Sequence, residues 1–455
     1  MTEILYSVLA FVVAIGLLVA IHEYGHYIVA RALGVKVLRY SIGFGRVLWS
    51  RRAGADDTEY CLSAIPLGGY VKLLDERDCP VSFAERGRAF NRQPAAARIA
   101  ILSAGPVFNL VFAVLAYTAM FISGVPGLKP VVGAVEDQSL AAAAGLREGD
   151  LIREVGGRPV ATWEGATLAM LDGMLADGAI RLSVEDETGL SRDVLVRTAG
   201  RETELTEPGQ LFRRLGIEPW SADPEAVIGE LTPGGPAETA GFRPGDRVLV
   251  ADGKPVSSWV EWVEIVRARP GERLSVTVRR GDAEVPLVVA VAVENGPDGP
   301  FGRIGAAVKL PVDVMEGMRA EERYAPPEAL VRATAKTWEM SALTLRMIWR
   351  MLVGDVSPKN ISGPINIAQY AGVTASIGAS AFLSFLAIVS ISLGVLNLLP
   401  VPMLDGGQIV YTLAESLKGS PLSERAQAIG QQIGIGLLLV LMTFAFYNDI
   451  SRLLG

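Results

Sequence analysis

The chain has 455 residues, half of them apolar and a fifth charged, with a net charge of −7. Apolar spans alternating with soluble domains explain this composition, and the mild acidity without a long basic run argues against nucleic acid as a partner. Two cysteines, Cys61 and Cys79, are too few for a disulfide scaffold or a cysteine-rich metal site, and we expect both to stay reduced.

Four apolar stretches are predicted to cross a membrane, because each can form a helix of about 20 residues. They are residues 5–21, residues 99–125, a third that starts near Ala381 within the uncharged stretch 360–404, and residues 426–448. A cleaved signal peptide is the alternative for the first stretch, but no positive charge precedes it and no small-residue cleavage site follows. A buried core helix is the alternative for the third, and the length of that stretch argues against it.

Charge predicts the orientation of these spans. Between His26 and Ile99 lie twelve Lys or Arg residues against seven Asp or Glu, whereas the segment before the first span has no Lys or Arg. The positive-inside rule therefore places this connection in the cytoplasm. Both termini and residues 126–359 then lie outside, and residues 405–425 lie inside.

The first span ends in the motif His22-Glu23-Tyr24-Gly25-His26. Helical residues four apart share a face, so both imidazoles can bind one metal ion, with Glu23 beside it to take a proton from bound water. The only two histidines of the chain occupy these positions, which makes the motif more specific. The alternative is a pair of interfacial histidines beside a solvated glutamate.

A β-hairpin is predicted after the motif, with strands 37–49 and 59–73 around the polar turn 51–57. A helix hides its own carbonyl groups and must unwind before hydrolysis, so an open hairpin edge beside the metal could pair with an extended substrate. The alternative is a cytoplasmic hairpin without a substrate role.

An internal repeat follows the second span. Gly145-Leu-Arg-Glu-Gly-Asp and Gly241-Phe-Arg-Pro-Gly-Asp lie 96 residues apart, and each precedes a Gly-x-Pro-Val stretch and a tryptophan. Both copies resemble PDZ domains, which hold peptides at a sheet edge. The alternative is that Gly-Asp only makes a tight turn, and peptide binding by either copy is left open. Residues 327–353 then have helical spacing, which suits a helix on the membrane surface or one packed on a neighbouring domain.

Zinc requires a third protein ligand and an open position for water. With no histidine left, Asp405 is the candidate, since it follows Asn397-Leu-Leu-Pro-Val-Pro-Met-Leu at the end of the third span. Unwinding at the two prolines would bring it to the depth of His22. One divalent ion would balance the costly carboxylates of Glu23 and Asp405, and zinc suits this N/O ligand set. The alternative for Asp405 is a helix terminus or a turn with Gly406.

Together these motifs resemble the site-2 proteases, peptidase family M50, above all the bacterial members that regulate sigma-E. The resemblance rests on H-E-x-x-H, on N-x-x-P-x-P before L-D-G, and on the PDZ-like pair between the second and third spans. It covers essentially the whole chain, because residues 41–45, 65–72, 104–109, 361–364 and 448–452 also match.

The resemblance implies a multi-pass α-helical membrane protein with four transmembrane helices, a membrane-associated β-hairpin and two external PDZ-like α+β domains. The predicted divisions are 1–34, 35–97, 98–125, 126–220, 221–311, 312–376, 377–408 and 409–455. One zinc ion would be bound by His22, His26 and Asp405, with Glu23 catalytic. Substrate would contact Asn397, Pro402, Gly68, Gly69 and Tyr70. Asn109 is a further candidate, for which a polar helix-packing role is the alternative.

In function, the resemblance implies cleavage of single-span proteins within the bacterial inner membrane, after another protease has removed their external part. An anti-sigma factor and remnant signal peptides are the implied substrates, and the PDZ pair would exclude proteins whose external domain is still large. The alternatives are a membrane-anchored peptidase that cuts soluble loops, a PDZ scaffold or chaperone without turnover, and a metal transporter.

Overall fold

The computed structural model describes residues 2–78, 80–221, 224–296, 299–309 and 316–454. Cys61 is a buried free thiol, and Cys79 lies outside these ranges. Among the described residues, four helices are long and apolar enough to cross a membrane. We call them the first to fourth apolar helices: Thr2–Ala32, Ala95–Ser123, Ala379–Asn397 and Glu424–Leu454.

The predicted hairpin is present as two long antiparallel strands, Val37–Ala53 and Thr58–Leu73. Tyrosines fix it to the first apolar helix: the Tyr40 hydroxyl donates to the Ala20 carbonyl (2.8 Å), and the hydroxyls of Tyr27 and Tyr60 lie 2.6 Å apart. Two short 3₁₀ turns, Phe83–Arg88 and Phe90–Arg92, lead from the hairpin to the second apolar helix. The hairpin is therefore fixed to the first apolar helix rather than being a free loop.

The two sequence repeats form two similar α+β units. In the first unit, the antiparallel sheet has strands in the order Arg158–Pro159, Leu151–Val155, Ala179–Glu185 and Ser191–Arg197. Val132–Val135 pairs with Ile217–Pro219, and the helices are Leu140–Ala143, Trp163–Asp177, Glu202–Thr206 and Leu211–Leu215.

The second unit repeats this plan 96 residues later. Its sheet has the order Lys254–Pro255, Arg247–Ala251, Arg273–Arg280 and Ala283–Ala290. Ile228–Leu231 pairs with Ala306–Val308, Ala292–Gly296 pairs with Gly299–Arg303, and the helices are Pro236–Thr239 and Trp259–Arg267.

The amphipathic segment forms one helix, Pro326–Val353, which we call the bridging helix. Its first half packs Ala329 and Ala333 against the C-terminal half of the second apolar helix. Its second half enters the core of the first α+β unit through Leu343, with Met347 packed beside it. Of the two predicted alternatives, packing on neighbouring domains is therefore observed. A short strand pair, Val125–Leu128 with Arg319–Glu322, closes this junction.

One helix was not predicted. The uncharged stretch after residue 360 contains the separate helix Pro364–Ile377 before the third apolar helix, and Gly378, with φ +140°, divides the two. The buried Asp449 carboxylate of the fourth apolar helix accepts hydrogen bonds from the backbone amides of Gly363, Ile365 and Asn366. Because these amides lack partners within the helix, Asp449 caps it and joins it to the fourth apolar helix.

Candidate metal centre

Three side chains from two distant parts of the sequence converge on one point. The Nε2 atoms of His22 and His26 lie 3.2 Å apart, and Oδ2 of Asp405 lies 3.2 Å from the first and 3.5 Å from the second. The first apolar helix continues through the motif to Ala32, so the two histidines lie on one face as the spacing predicts. The side chains of His22 and Asp405 are only 12% and 20% exposed.

Asp405 reaches this point from a turn. The third apolar helix ends at Asn397, and Asp405 begins a new helix, Asp405–Lys418. Residues 398–404 between the two helices contain Pro400 and Pro402 and are not helical, and this is where the sequence predicted unwinding. The two glycines after Asp405 allow the turn, because a Cβ at Gly406 or Gly407 would collide with backbone carbonyl oxygens of residues 398–401. An ion pair between Arg98 and Glu415 (2.8 Å) holds the new helix against the second apolar helix.

The donor set fits a zinc ion. The Nδ1 atom of His26 lies 2.8 Å from the carbonyl oxygen of Ile101, which fixes a proton on Nδ1 and leaves Nε2 free to bind metal. Gly105 keeps space for the ion, since a Cβ added there would lie 2.7 Å from Nε2 of His22 and closer still to Nε2 of His26. Two imidazoles and one carboxylate are the ligand number and type of catalytic zinc sites.

Glu23 lies between the ligands and the hairpin. Its carboxylate lies near the backbone amide of Val71 in the second hairpin strand. The backbone of Gly69 packs closely here, because a Cβ at Gly69 would lie 3.0 Å from Cγ of Glu23. The hairpin edge is thus in direct contact with the residue predicted to activate water.

The other residues predicted to contact substrate lie on several different elements. Tyr70 stacks on Phe44 and accepts a hydrogen bond from Arg39 (3.0 Å), and a Cβ at Gly68 would collide with the same Phe44 ring. Asn397 is the last residue of the third apolar helix. Pro402 lies in the following turn, beside Gly434 of the fourth apolar helix. Asn109 is fully buried, with its amide beside the ring of His22.

The backbone contributions were not predicted from the sequence. They are the Ile101 carbonyl, the Val71 amide and the space at Gly105. Glycine in a membrane helix is a known sign of close helix approach. Gly25 is a second example, because a Cβ there would lie 2.5 Å from the Ala104 carbonyl oxygen.

The chain is similar to known proteins over nearly its whole length. The model of peptidase family M50 matches residues 10–441. A Neisseria meningitidis protein whose name describes a zinc metalloprotease is 42% identical and covers 99% of this chain and all of its own length. The regulator of sigma-E protease RseP of Escherichia coli is 40% identical, and the regulator of sigma E protease of Salmonella typhi is 39% identical, each over the full length of both chains.

Proposed function

The chain belongs to peptidase family M50 and is a zinc metalloprotease, and on this premise we propose that it cuts single-span proteins inside the bacterial inner membrane. The observation that carries this proposal is the meeting of His22 and His26 of the first apolar helix with the distant Asp405, with Glu23 next to His22 in the same helix. Isolated charge is costly there, so a carboxylate pair beside two imidazoles suits a bound cation and hydrolytic chemistry.

In this proposal His22, His26 and Asp405 hold the zinc ion. When bound, zinc polarises the scissile carbonyl and lowers the pKa of a bound water toward neutrality. Glu23 would take a proton from the attacking water as the water oxygen adds to the carbonyl carbon. When the C–N bond breaks, Glu23 passes the proton to the leaving amine. The products are a carboxylate and an amine, with one water consumed.

The hairpin and the turn before Asp405 are the proposed substrate contacts. A substrate segment must leave its helix to expose a carbonyl group, and the edge of the second strand near Gly68, Gly69 and Tyr70 offers backbone pairing for the extended form. The Val71 amide near Glu23 belongs to the same strand. Asn397 and Pro402 would orient the substrate backbone from the opposite side.

We further propose that both termini and the two external units, residues 126–220 and 221–311, lie on the outer face of the membrane. The excess of Lys and Arg between His26 and Ile99 supports this orientation. The metal centre then lies toward the cytoplasmic side. The names of the E. coli and Salmonella relatives support a place in sigma-E regulation, with an anti-sigma factor and remnant signal peptides as the substrates.

The test is cleavage of a tagged, single-span anti-sigma-type protein by the purified chain in detergent or lipid. Wild type should cut the protein once its external domain has been removed, and Glu23→Gln should not. A soluble peptide of the same sequence as the membrane segment serves as the control. Equal cleavage of that peptide would favour a peptidase of soluble loops, and unchanged function in Glu23→Gln would favour a scaffold without turnover.

A further inference from the structure

Asn109 is a buried amide behind one of the metal-binding histidines. It lies in the second apolar helix and is 0% exposed. Its side-chain nitrogen lies 3.2 Å from Nδ1 of His22, the ring nitrogen that faces away from Asp405. Its side-chain oxygen is buried and has no hydrogen-bond partner among the described residues. A fully buried side chain is poorly placed to contact a substrate.

The tautomer of His22 determines whether the Asn109 side chain must donate or accept a hydrogen bond. If Nε2 of His22 binds the ion through its lone pair, Nδ1 carries the hydrogen and needs an acceptor. The oxygen and nitrogen of an Asn amide have nearly the same shape, and their assignment follows from the hydrogen-bond network. Turning the amide by 180° places the unpartnered oxygen next to Nδ1 of His22, where it accepts that hydrogen.

The other histidine already shows the same arrangement. Nδ1 of His26 lies 2.8 Å from the Ile101 carbonyl oxygen, which is an acceptor only. Ile101 and Asn109 belong to the same helix, and Gly105, halfway between them, leaves the space in front of both Nε2 atoms. One face of the second apolar helix therefore contacts both ligands of the first.

The backbone at Asn109 is also fixed. The Ser390 hydroxyl of the third apolar helix donates to the Asn109 carbonyl oxygen (2.9 Å), and Ser390 itself is fully buried. This bond fixes the backbone of Asn109 against the third apolar helix. The side chain thus lies on a rigid support, as a residue that orients a metal ligand requires.

We propose that Asn109 is a positioning residue that fixes the ring orientation and the Nδ1-protonated tautomer of His22. This inference rests on the proposed metal-binding role of His22. It assigns the second apolar helix as the outer support of the zinc site, through Asn109 for His22 and through the Ile101 carbonyl for His26. Loss of such a partner in zinc proteins lowers metal affinity about 10–100-fold.

Two substitutions separate this role from simple packing. Asn109→Leu keeps the branching and the number of side-chain heavy atoms but removes the acceptor, whereas Asn109→Asp keeps the shape and presents an acceptor oxygen in either orientation. A positioning role requires that the Asp variant retain zinc and that the Leu variant lose affinity. A packing role requires the reverse, because leucine suits an apolar helix contact and a buried carboxylate does not. Thr118→Val, in the same helix and bonded only to its own turn through Val114, is the matched control.

The measurement is the zinc dissociation constant of the purified full-length chain, by competition with a chromophoric chelator, together with the visible absorption of the cobalt-substituted protein. We expect Asn109→Leu to weaken zinc binding about 10–100-fold and to change the cobalt spectrum, with Asn109→Asp and Thr118→Val close to wild type. Zinc affinity equal to wild type in Asn109→Leu would overturn the inference. If the Leu variant does not fold, weakened zinc binding by Asn109→Asp would overturn it instead. Absence of zinc binding by wild type would instead overturn the proposed function.

Discussion

Carboxylates in the two α+β units and carboxylates at the metal centre have opposite surroundings. In the first unit Asp150 pairs with Arg192, and in the second Asp246 pairs with Arg280. Each carboxylate also accepts a hydrogen bond from the amide three residues before it. At the metal centre the ion-pair partners of Asp405 among the described residues are two histidines, and no ion pair or side-chain hydrogen bond joins Glu23 to a described arginine or lysine.

This difference distinguishes carboxylates that stabilise the fold from those that we assign to metal binding and catalysis. An arginine neutralises the buried aspartate of each α+β unit, so folding alone explains it. Glu23 and Asp405 have no arginine or lysine ion-pair partner among the described residues, and a bound cation would balance their charge. Substitutions at the metal centre should therefore change chemistry without unfolding, and those in the α+β units should change stability without changing chemistry.

Glu23→Gln gives the largest expected effect. The amide cannot take a proton from water, so cleavage should fall by a factor of about 10²–10⁴ or more. The metal ligands are untouched, and zinc content and thermal stability should match wild type. The assay is cleavage of a single-span substrate alongside metal analysis of the same sample. Loss of zinc together with activity would show that Glu23 is a ligand rather than a base.

Gly105→Ala should remove the metal. Its methyl group would occupy the space in front of both Nε2 atoms, and a shift of the helix is resisted by the contacts at Gly25 and Ser390. We expect a folded chain with little bound zinc and little cleavage. Gly16→Ala is the matched control, because Gly16 lies in the first apolar helix with nothing within 4 Å of an added Cβ. Normal zinc content in Gly105→Ala would place the ion elsewhere.

Asp172→Ala tests the boundary between the two regions. This aspartate of the first unit pairs with Arg346 of the bridging helix and with Arg158 (3.0 Å). Its loss should destabilise the docking of that helix by about 1–3 kcal/mol and increase hydrogen exchange across residues 343–353. Cleavage of a short substrate should stay within a few-fold of wild type. Asp177→Ala, which breaks an exposed pair with Arg181 in the same unit, is the control.

A shift in exchange that is equally large in the Asp177 control would mean that any charge change in this unit loosens the bridging helix. A large loss of cleavage from Asp172→Ala would mean that the first unit and the metal centre act as one structure.

Asp246→Asn should have the smallest effect on cleavage and a pH-dependent effect on stability. Burial alone would raise the pKa of the Asp246 carboxyl, but hydrogen bonds from Arg280 and the Arg243 amide outweigh it and hold this pKa below its usual value. Because the pKa of Asp246 is lower in the folded state, the ionised carboxylate stabilises the fold at pH values above its unfolded pKa, about 3.9. This contribution is lost as the pH falls through the folded pKa.

The thermal midpoint of Asp246→Asn should therefore lie below that of wild type at pH 7, with the difference shrinking below about pH 4. Tryptophan fluorescence can follow the transition, since Trp262 lies in the core of this unit. A constant difference across this pH range would mean that the ionised carboxylate does not stabilise the unit.

Patterns of period and spacing predicted much of this structure. Helical spacing placed His22 and His26 on one face, alternation predicted the hairpin, and the repeated Gly-Asp motif predicted two similar units. The helix Pro364–Ile377 was missed because the stretch after residue 360 is uncharged throughout, and only the backbone at Gly378 divides it. Gly363-Pro364 was the available signal, since proline favours the first turn of a helix.

The support of the metal centre could not be predicted in the same way. Whether the Ile101 carbonyl or the Asn109 amide faces a histidine depends on the rotation of the second apolar helix against the first. That rotation follows from contacts such as Gly25 on Ala104, which join residues far apart in sequence. The ligands belong to local motifs, whereas their hydrogen-bond partners are a property of helix packing.

The most direct test of the whole account is metal analysis of purified, folded protein, wild type beside Asp405→Ala, with cleavage measured on the same samples. The account predicts about one zinc ion per wild-type chain, and loss of both zinc and cleavage in the variant while the helices remain folded. An active wild type without metal, or an Asp405→Ala variant that keeps its zinc and its activity, would contradict it.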